Sequence, residues 1–247
     1  MLNEELIQNV CNGWTSDCFI NWKGVSREQL ARFCEIVQNA INKTINDVLG
    51  NNCFECNVDP EKLILLDGES FGKFGVVLWD AKDTDAINEI IASDFSVDKI
   101  NECYDKVGNV PEVADYDKKA CAGYYSQVQG LAYGGYQVIN TDTANGKLGL
   151  HLLCHEILHT LASADEVKVL RNGKEVGDEA TNEFIARLVS YQNNLGCTTT
   201  SEMLQATEKD SLHNQKGCYG KLLENEQFAS KSPDEIVVII KRYLSIP

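Results

Sequence analysis

Three of the chain's four histidines, His151, His155 and His159, stand four residues apart in the apolar stretch LHLLCHEILHTLAS. On an α-helix this spacing brings side chains to nearly the same face, one turn above another. The stretch therefore reads as a helix with one histidine-bearing face, and His155 and His159 can point at a single metal ion. Glu156 lies about 100° around from His155. That is too far round to join the same fan of ligands, yet close enough to reach a water held by the metal. Two neutral imidazoles on zinc, with a glutamate as general base for the zinc-bound water, are the physical content of the HExxH pattern. His151 continues the stripe, but the helix rises about 12 Å between residues 151 and 159, while zinc–nitrogen bonds are about 2 Å. One ion does not bridge all three, so His151 is expected to be a bystander in the first turn, near the rim of a cleft.

A catalytic zinc takes three protein ligands and keeps one position open. Two acids are candidates for the third ligand. Asp165 follows His159 in HEILHTLASAD, where metzincin-type enzymes carry theirs after a glycine turn. This chain has Ala162 in place of that glycine, and Ala resists the positive φ that lets the chain leave the helix. Glu179 lies further on, in GDEATNEFIARL. Asp178 can cap that second helix, which puts Glu179 in its first turn. Glu183 is one turn along the same face, suited to orient a ligating histidine through its free ring N–H. Glu179, Glu183 and Arg187 also fit an ordinary solvated stripe of charges.

HEILH followed at this distance by DEATNEF resembles the zincin metallopeptidases of the gluzincin group, the thermolysin-like arrangement. That group carries HExxH on one helix and a ligating Glu on a second. The resemblance spans residues 136–190. It implies that His155, His159 and Glu179 are zinc ligands, Glu156 the catalytic base and Glu183 the acid behind the ligands. Asp178 stands where the family often has Asn, and Ala180 where many members have Gly. The fold implied is a zincin-like α+β domain: a small mixed sheet, an active-site helix carrying HExxH and a mainly helical C-terminal part. It also implies a strand just upstream of the active helix, its edge lining the substrate cleft, and GYQVIN is positioned for that. The activity implied is hydrolysis of a peptide or protein substrate with Zn2+ as cofactor. The oxyanion then needs a donor across the cleft. Tyr191, His213 and Tyr219 are candidates, and nothing in the sequence selects among them. A zincin-fold protein that binds metal as a sensor, regulator or binding module would retain the same ligands.

The rest of the chain reads as one domain over 247 residues, with an N-terminal α/β portion at 1–130 and the metal-site portion at 131–247. VSREQLARFCEIVQNAINKTINDVLG reads as a long amphipathic helix, with Leu30, Phe33, Val37, Ile41, Ile45 and Val48 on one face and Gly50 as its stop. KLILLDGESFGKFGVVLWD reads as two strands, 63–66 and 74–79, around a Gly-containing turn. Residues 82–106 read as helix broken near Ser96, and 124–136 as loop entering the strand GYQVIN. VKVLRNGKEV carries a hairpin signal at Asn172-Gly173. DEATNEFIARLVSYQNN reads as helix, with Phe184, Ile185, Leu188 and Val189 on one face, and the polar stretch 196–220 stays ambiguous. SPDEIVVIIKRYL reads as a closing helix, with Ser232 as N-cap, Pro233 at its first position and Glu235 completing a capping box.

Acids outnumber bases 37 to 22, a net charge of −15, and no Lys/Arg cluster interrupts that balance. Such a surface repels a nucleic-acid backbone and an anionic membrane, so neither partner is expected. The start MLNEELIQNV has no positive region followed by an apolar stretch, which points to the cytoplasm or to a secreted form after loss of its leader. The ten cysteines include one CxxC, Cys53 and Cys56, with no second pair to complete a four-ligand zinc site. They read as buried thiols in preference to disulfides. Cys154 beside His155 suggests a nucleophile pair, but adjacent helical positions point about 100° apart, so a buried inert thiol is the better reading.

Overall fold

The computed structural model describes residues 19–50, 52–80, 84–146, 149–161, 233–244 and 246. Contacts divide the chain into two units, one containing Ser26–Pro60 together with the part from Gly146 onward, the other Asn21–Val25 with Glu61–Asn145.

The first unit contains the long helix expected from the apolar period, α1 (Arg27–Leu49), with left-handed Gly50 at φ 68 as its C-cap. A capping box opens it: Ser26 Oγ accepts from the Gln29 N–H at 3.2 Å, and Gln29 Oε1 accepts from the Ser26 N–H at 2.9 Å. Leu30, Phe33, Val37, Ile41 and Ile45 are buried, as their spacing predicts. Gln38, Asn42 and Asn46 form a second row four residues apart, and this row holds the extended stretch that follows. Asn46 accepts from the Phe54 N–H at 2.9 Å and donates to the Phe54 carbonyl at 2.8 Å. Asn42 accepts from the Cys56 N–H at 2.8 Å and Gln38 from the Val58 N–H at 2.9 Å. Four helical residues rise about 6 Å and two extended residues about 6.6 Å, so successive amides meet alternate backbone groups. Cys56 and Val58 are thereby turned inward, with Glu55, Asn57 and Asp59 exposed.

The second unit begins its sheet with β1 (Leu63–Leu66), as expected. The strand expected at 74–79 is instead part of a helix, α2 (Gly68–Asp80). Asp67 Oδ1 accepts from the Ser70 N–H at 2.7 Å and starts that helix. Phe71, Phe74 and Val77 then fall at helical spacing and are buried. The glycines that suggest a turn serve close packing: a Cβ at Gly72 would lie 2.5 Å from the Ala122 carbonyl oxygen, and one at Gly75 would enter the Tyr125 ring. After α3 (Thr84–Ala92) comes the expected break, then α4 (Val97–Gly108). Asp94 and Phe95 adopt left-handed φ values of 53° and 56°, a conformation that costs about 1–2 kcal/mol per residue. The Phe95 ring offsets this by packing 5.3 Å from Phe74 and 5.0 Å from Tyr136.

Residues 124–136, expected as loop, hold the end of α5 (Asp115–Tyr125) and a short strand, β2 (Gly130–Tyr133). Gly134 and Gly135, at φ 58° and 83°, turn the chain directly into β3 (Tyr136–Asn140). The sheet order is β1-β3-β2. β3 runs parallel to β1 from Leu63↔Gln137 to Leu66↔Asn140, and antiparallel to β2 from Gly130↔Ile139 to Tyr133↔Tyr136. The expectation that the edge of GYQVIN is free to line a cleft is therefore corrected. The hairpin partner β2 occupies the side that β1 leaves open, so both edges of β3 are paired. Leu66 and Val138 face a core of Phe71, Phe74, Ile87, Ile90 and Ile100. At the end of β3, buried Asn140 donates to the Ser126 and Val128 carbonyls at 2.9 Å each. Fully buried Trp22 donates through its indole to the Ala144 carbonyl at 3.0 Å.

The chain then returns to the first unit with α6 (Gly149–Leu161), which packs on α1, and α7 (Pro233–Tyr243). The helix expected in this stretch is present from Pro233; Ser232, the N-cap of the expected capping box, lies outside the described residues. So do the hairpin expected at 167–176 and the helix expected at 178–194. The mixed sheet and its helices make the chain α+β. Among the described residues, no helix is long and apolar enough to cross a membrane.

Candidate metal centre

Burial divides α6 into two faces. Leu150, Leu153, Cys154, Ile157 and Leu158 are buried, and Glu156 with them. His151, His155 and His159 are only half-buried. The apolar residues drive the helix against its neighbours, and the histidine stripe is the less deeply buried side.

His155 Nε2 and His159 Nε2 approach to 2.9 Å, with ring centroids 4.5 Å apart and planes at 88°. The His151 ring lies nearly parallel to that of His155, at 18°, with centroids 6.5 Å apart. Two of the three rings thus converge and the third stands aside in the first turn, as helix geometry predicts. Without metal, one Nε2–H donates to the other Nε2. With both protons on Nδ1, two lone pairs face one point. At a tetrahedral angle, zinc–nitrogen bonds of about 2.0–2.1 Å set two ligating nitrogens about 3.3–3.4 Å apart. The observed 2.9 Å is a hydrogen-bond separation, and an ion held by both rings would need the nitrogens to part by about 0.4–0.5 Å. Glu156 occupies the adjacent position and is 6% exposed.

Among the described residues, no group of three or more His, Cys, Asp or Glu side chains is placed to hold a metal ion. Both acids considered as third ligand, Glu179 and Asp165, lie outside the described residues. The same holds for Glu183, Tyr191, His213 and Tyr219.

Two features beside the histidines were not anticipated. The Tyr243 hydroxyl, at the end of α7, donates to the Leu158 carbonyl at 3.0 Å in a buried contact. No local pattern announces a bond between residues so distant in the chain. The amide row on α1, by contrast, is legible as three amide side chains at a period of four. It sets Cys56 near Cys154. Cys34, Cys56, Cys103 and Cys154 are free thiols. Burial pushes the Cys34 thiol up to about 12 and that of Cys56 up to about 11. Burial also raises Cys154, with the neighbouring Cys56 adding to the effect. A thiol so protonated is a poor nucleophile, in agreement with the inert reading of Cys154.

No protein-family model matches the chain, and no curated protein or solved structure matches it.

Proposed function

We propose that the chain is a zinc-dependent metallopeptidase of the gluzincin kind, with a zincin-like arrangement of its α+β fold. The observation that carries this reading is the 2.9 Å convergence of His155 Nε2 and His159 Nε2 on one side of α6. Glu156 at the adjacent position, and Glu179 and Glu183 in the acidic stretch beyond, complete the pattern. His155, His159 and Glu179 would hold the ion, and Glu183 would orient a ligating imidazole.

When bound, zinc supplies a Lewis acid for the scissile carbonyl and for water. His155 and His159 each present a neutral Nε2 lone pair and keep their protons on Nδ1. Glu156 takes the proton of the attacking water on its carboxylate and passes it to the leaving amine. Tyr191, His213 and Tyr219 are the candidates for donating to the oxyanion. The net charge of −15 favours neutral or basic peptides over acidic ones.

The test is elemental analysis of the purified protein together with cleavage of a general protein substrate, with and without chelator. The expected result is stoichiometric zinc and hydrolysis that chelation stops and added zinc restores. Zinc without hydrolysis favours a metal-binding sensor, regulator or binding module. A protein that takes up no zinc leaves α6 as a core helix with a His–His hydrogen bond.

A further inference from the structure

The extended stretch after α1 is bonded along one side. Asn46 bonds both backbone groups of Phe54, Asn42 accepts from the Cys56 N–H and Gln38 from the Val58 N–H. In an extended chain the backbone groups of successive residues point to opposite sides. Residues 54, 56 and 58 direct theirs at α1, so the N–H and C=O groups of Glu55 and Asn57 point away from it. Among the described residues those four groups have no hydrogen-bond partner. Glu55 and Asn57 are both exposed. Three amide side chains and the buried side chains of Cys56 and Val58 hold the stretch at strand pitch. The result is a single strand edge, ordered before any partner arrives, with two donor–acceptor pairs about 6.6 Å apart.

We propose that the edge at Glu55 and Asn57 is a docking site for an extended, basic peptide segment of a partner protein, which adds to it as a strand. An open edge takes a strand because an extended backbone matches the spacing of its donors and acceptors. Charge selects the segment. Glu55 stands on the edge, in a chain of net charge −15. A Lys or Arg opposite it is attracted and an acid repelled. A second copy of this chain would bring the same Glu55 and the same negative charge, which disfavours self-pairing. The site goes beyond the zinc reading and draws on no residue of the proposed metal centre.

The probe is a short blocked peptide of alternating Lys and Val. Its controls are the same peptide N-methylated throughout, which keeps the charge and loses the donors, and a peptide of alternating Glu and Val. Amide hydrogen exchange and 15N shifts of the full chain are read residue by residue. In the free chain the Phe54, Cys56 and Val58 amides should exchange slowly and those of Glu55 and Asn57 fast. The Lys–Val peptide at saturation should slow Glu55 and Asn57 about tenfold and leave the other three unchanged. The methylated peptide should bind about tenfold more weakly, and the Glu–Val peptide should not bind. Asn57→Pro removes one outward N–H and no bond to α1. It should weaken the Lys–Val peptide about fivefold to tenfold, the scale of one hydrogen bond. Glu55→Lys should weaken it about threefold, the scale of one cross-strand charge pair. No binding of the Lys–Val peptide, or binding that N-methylation leaves unchanged, overturns the docking site. That arm uses the wild-type chain, so it decides whether or not Asn57→Pro folds. Slow exchange at Glu55 and Asn57 in the free chain also overturns it, because the edge would already be paired. Equal binding of the Glu–Val peptide overturns the choice of a basic partner.

Discussion

Glu156→Gln separates the proposed base from the proposed ligands. It exchanges one carboxylate oxygen for an amide nitrogen at constant shape. Glu and Gln have nearly equal helix propensity, so α6 and the His155–His159 approach persist. Glu156 is 6% exposed, and exchanging a buried carboxylate oxygen for an amide nitrogen costs about 1–3 kcal/mol. Against a domain stability of about 5–15 kcal/mol, that leaves the chain folded. The chemical effect is larger. A positioned general base contributes about 10²–10⁴ in rate, and at about 1.4 kcal/mol per tenfold its loss raises the barrier by about 2.7–5.5 kcal/mol. The assay sets zinc content beside initial rates on a labelled general protein substrate, for wild type, Glu156→Gln and His155→Ala. His155→Ala should lose zinc and activity together; Glu156→Gln should keep zinc and lose activity. More than about one-tenth of wild-type activity in fully loaded Glu156→Gln would refute the general-base role. Zinc loss equal to that of His155→Ala would instead place Glu156 among the ligands, against its offset of about 100° around the helix.

Glu179→Ala should lower zinc content much more than Asp165→Ala in the same elemental analysis, and the reverse order would move the third ligand to the metzincin position. Gly75→Ala should destabilise the chain by about 1–3 kcal/mol in urea unfolding, because its Cβ would enter the Tyr125 ring. At an open helical position the same change would stabilise by about 1 kcal/mol, so the sign alone tests the α2–α5 approach. Burial holds the thiols of Cys34 and Cys56 at about 12 and about 11, above the ordinary 9.0. The unfolded chain ionises first, so these thiols leave stability intact below about pH 9 and lower it as the pH rises towards 11. Chemical denaturation at neutral pH and at about pH 10 checks this, and Cys34→Ser should flatten the decline.

Much of the fold was legible because its causes are local. α1 carries its capping box, its apolar period and Gly50 within one stretch of chain. The break at Ser96 and the helical run of α7 follow the same logic. The convergence of His155 with His159, and the standing aside of His151, follow from the pitch of any α-helix. The sequence by itself thus determined which two histidines converge. Tertiary structure decided the rest, since the reasons lie elsewhere in the chain. Gly72 and Gly75 look like a turn until α5 is seen to approach within a Cβ's reach. GYQVIN looks like an open edge until β2, folded back by Gly134 and Gly135, pairs with it. The Leu158 carbonyl finds the Tyr243 hydroxyl 85 residues away. A helical period is set by bonds between near neighbours and can be read along the chain. A close approach or a shared edge is set by whichever segment arrives from a distance, and only the folded chain brings it there.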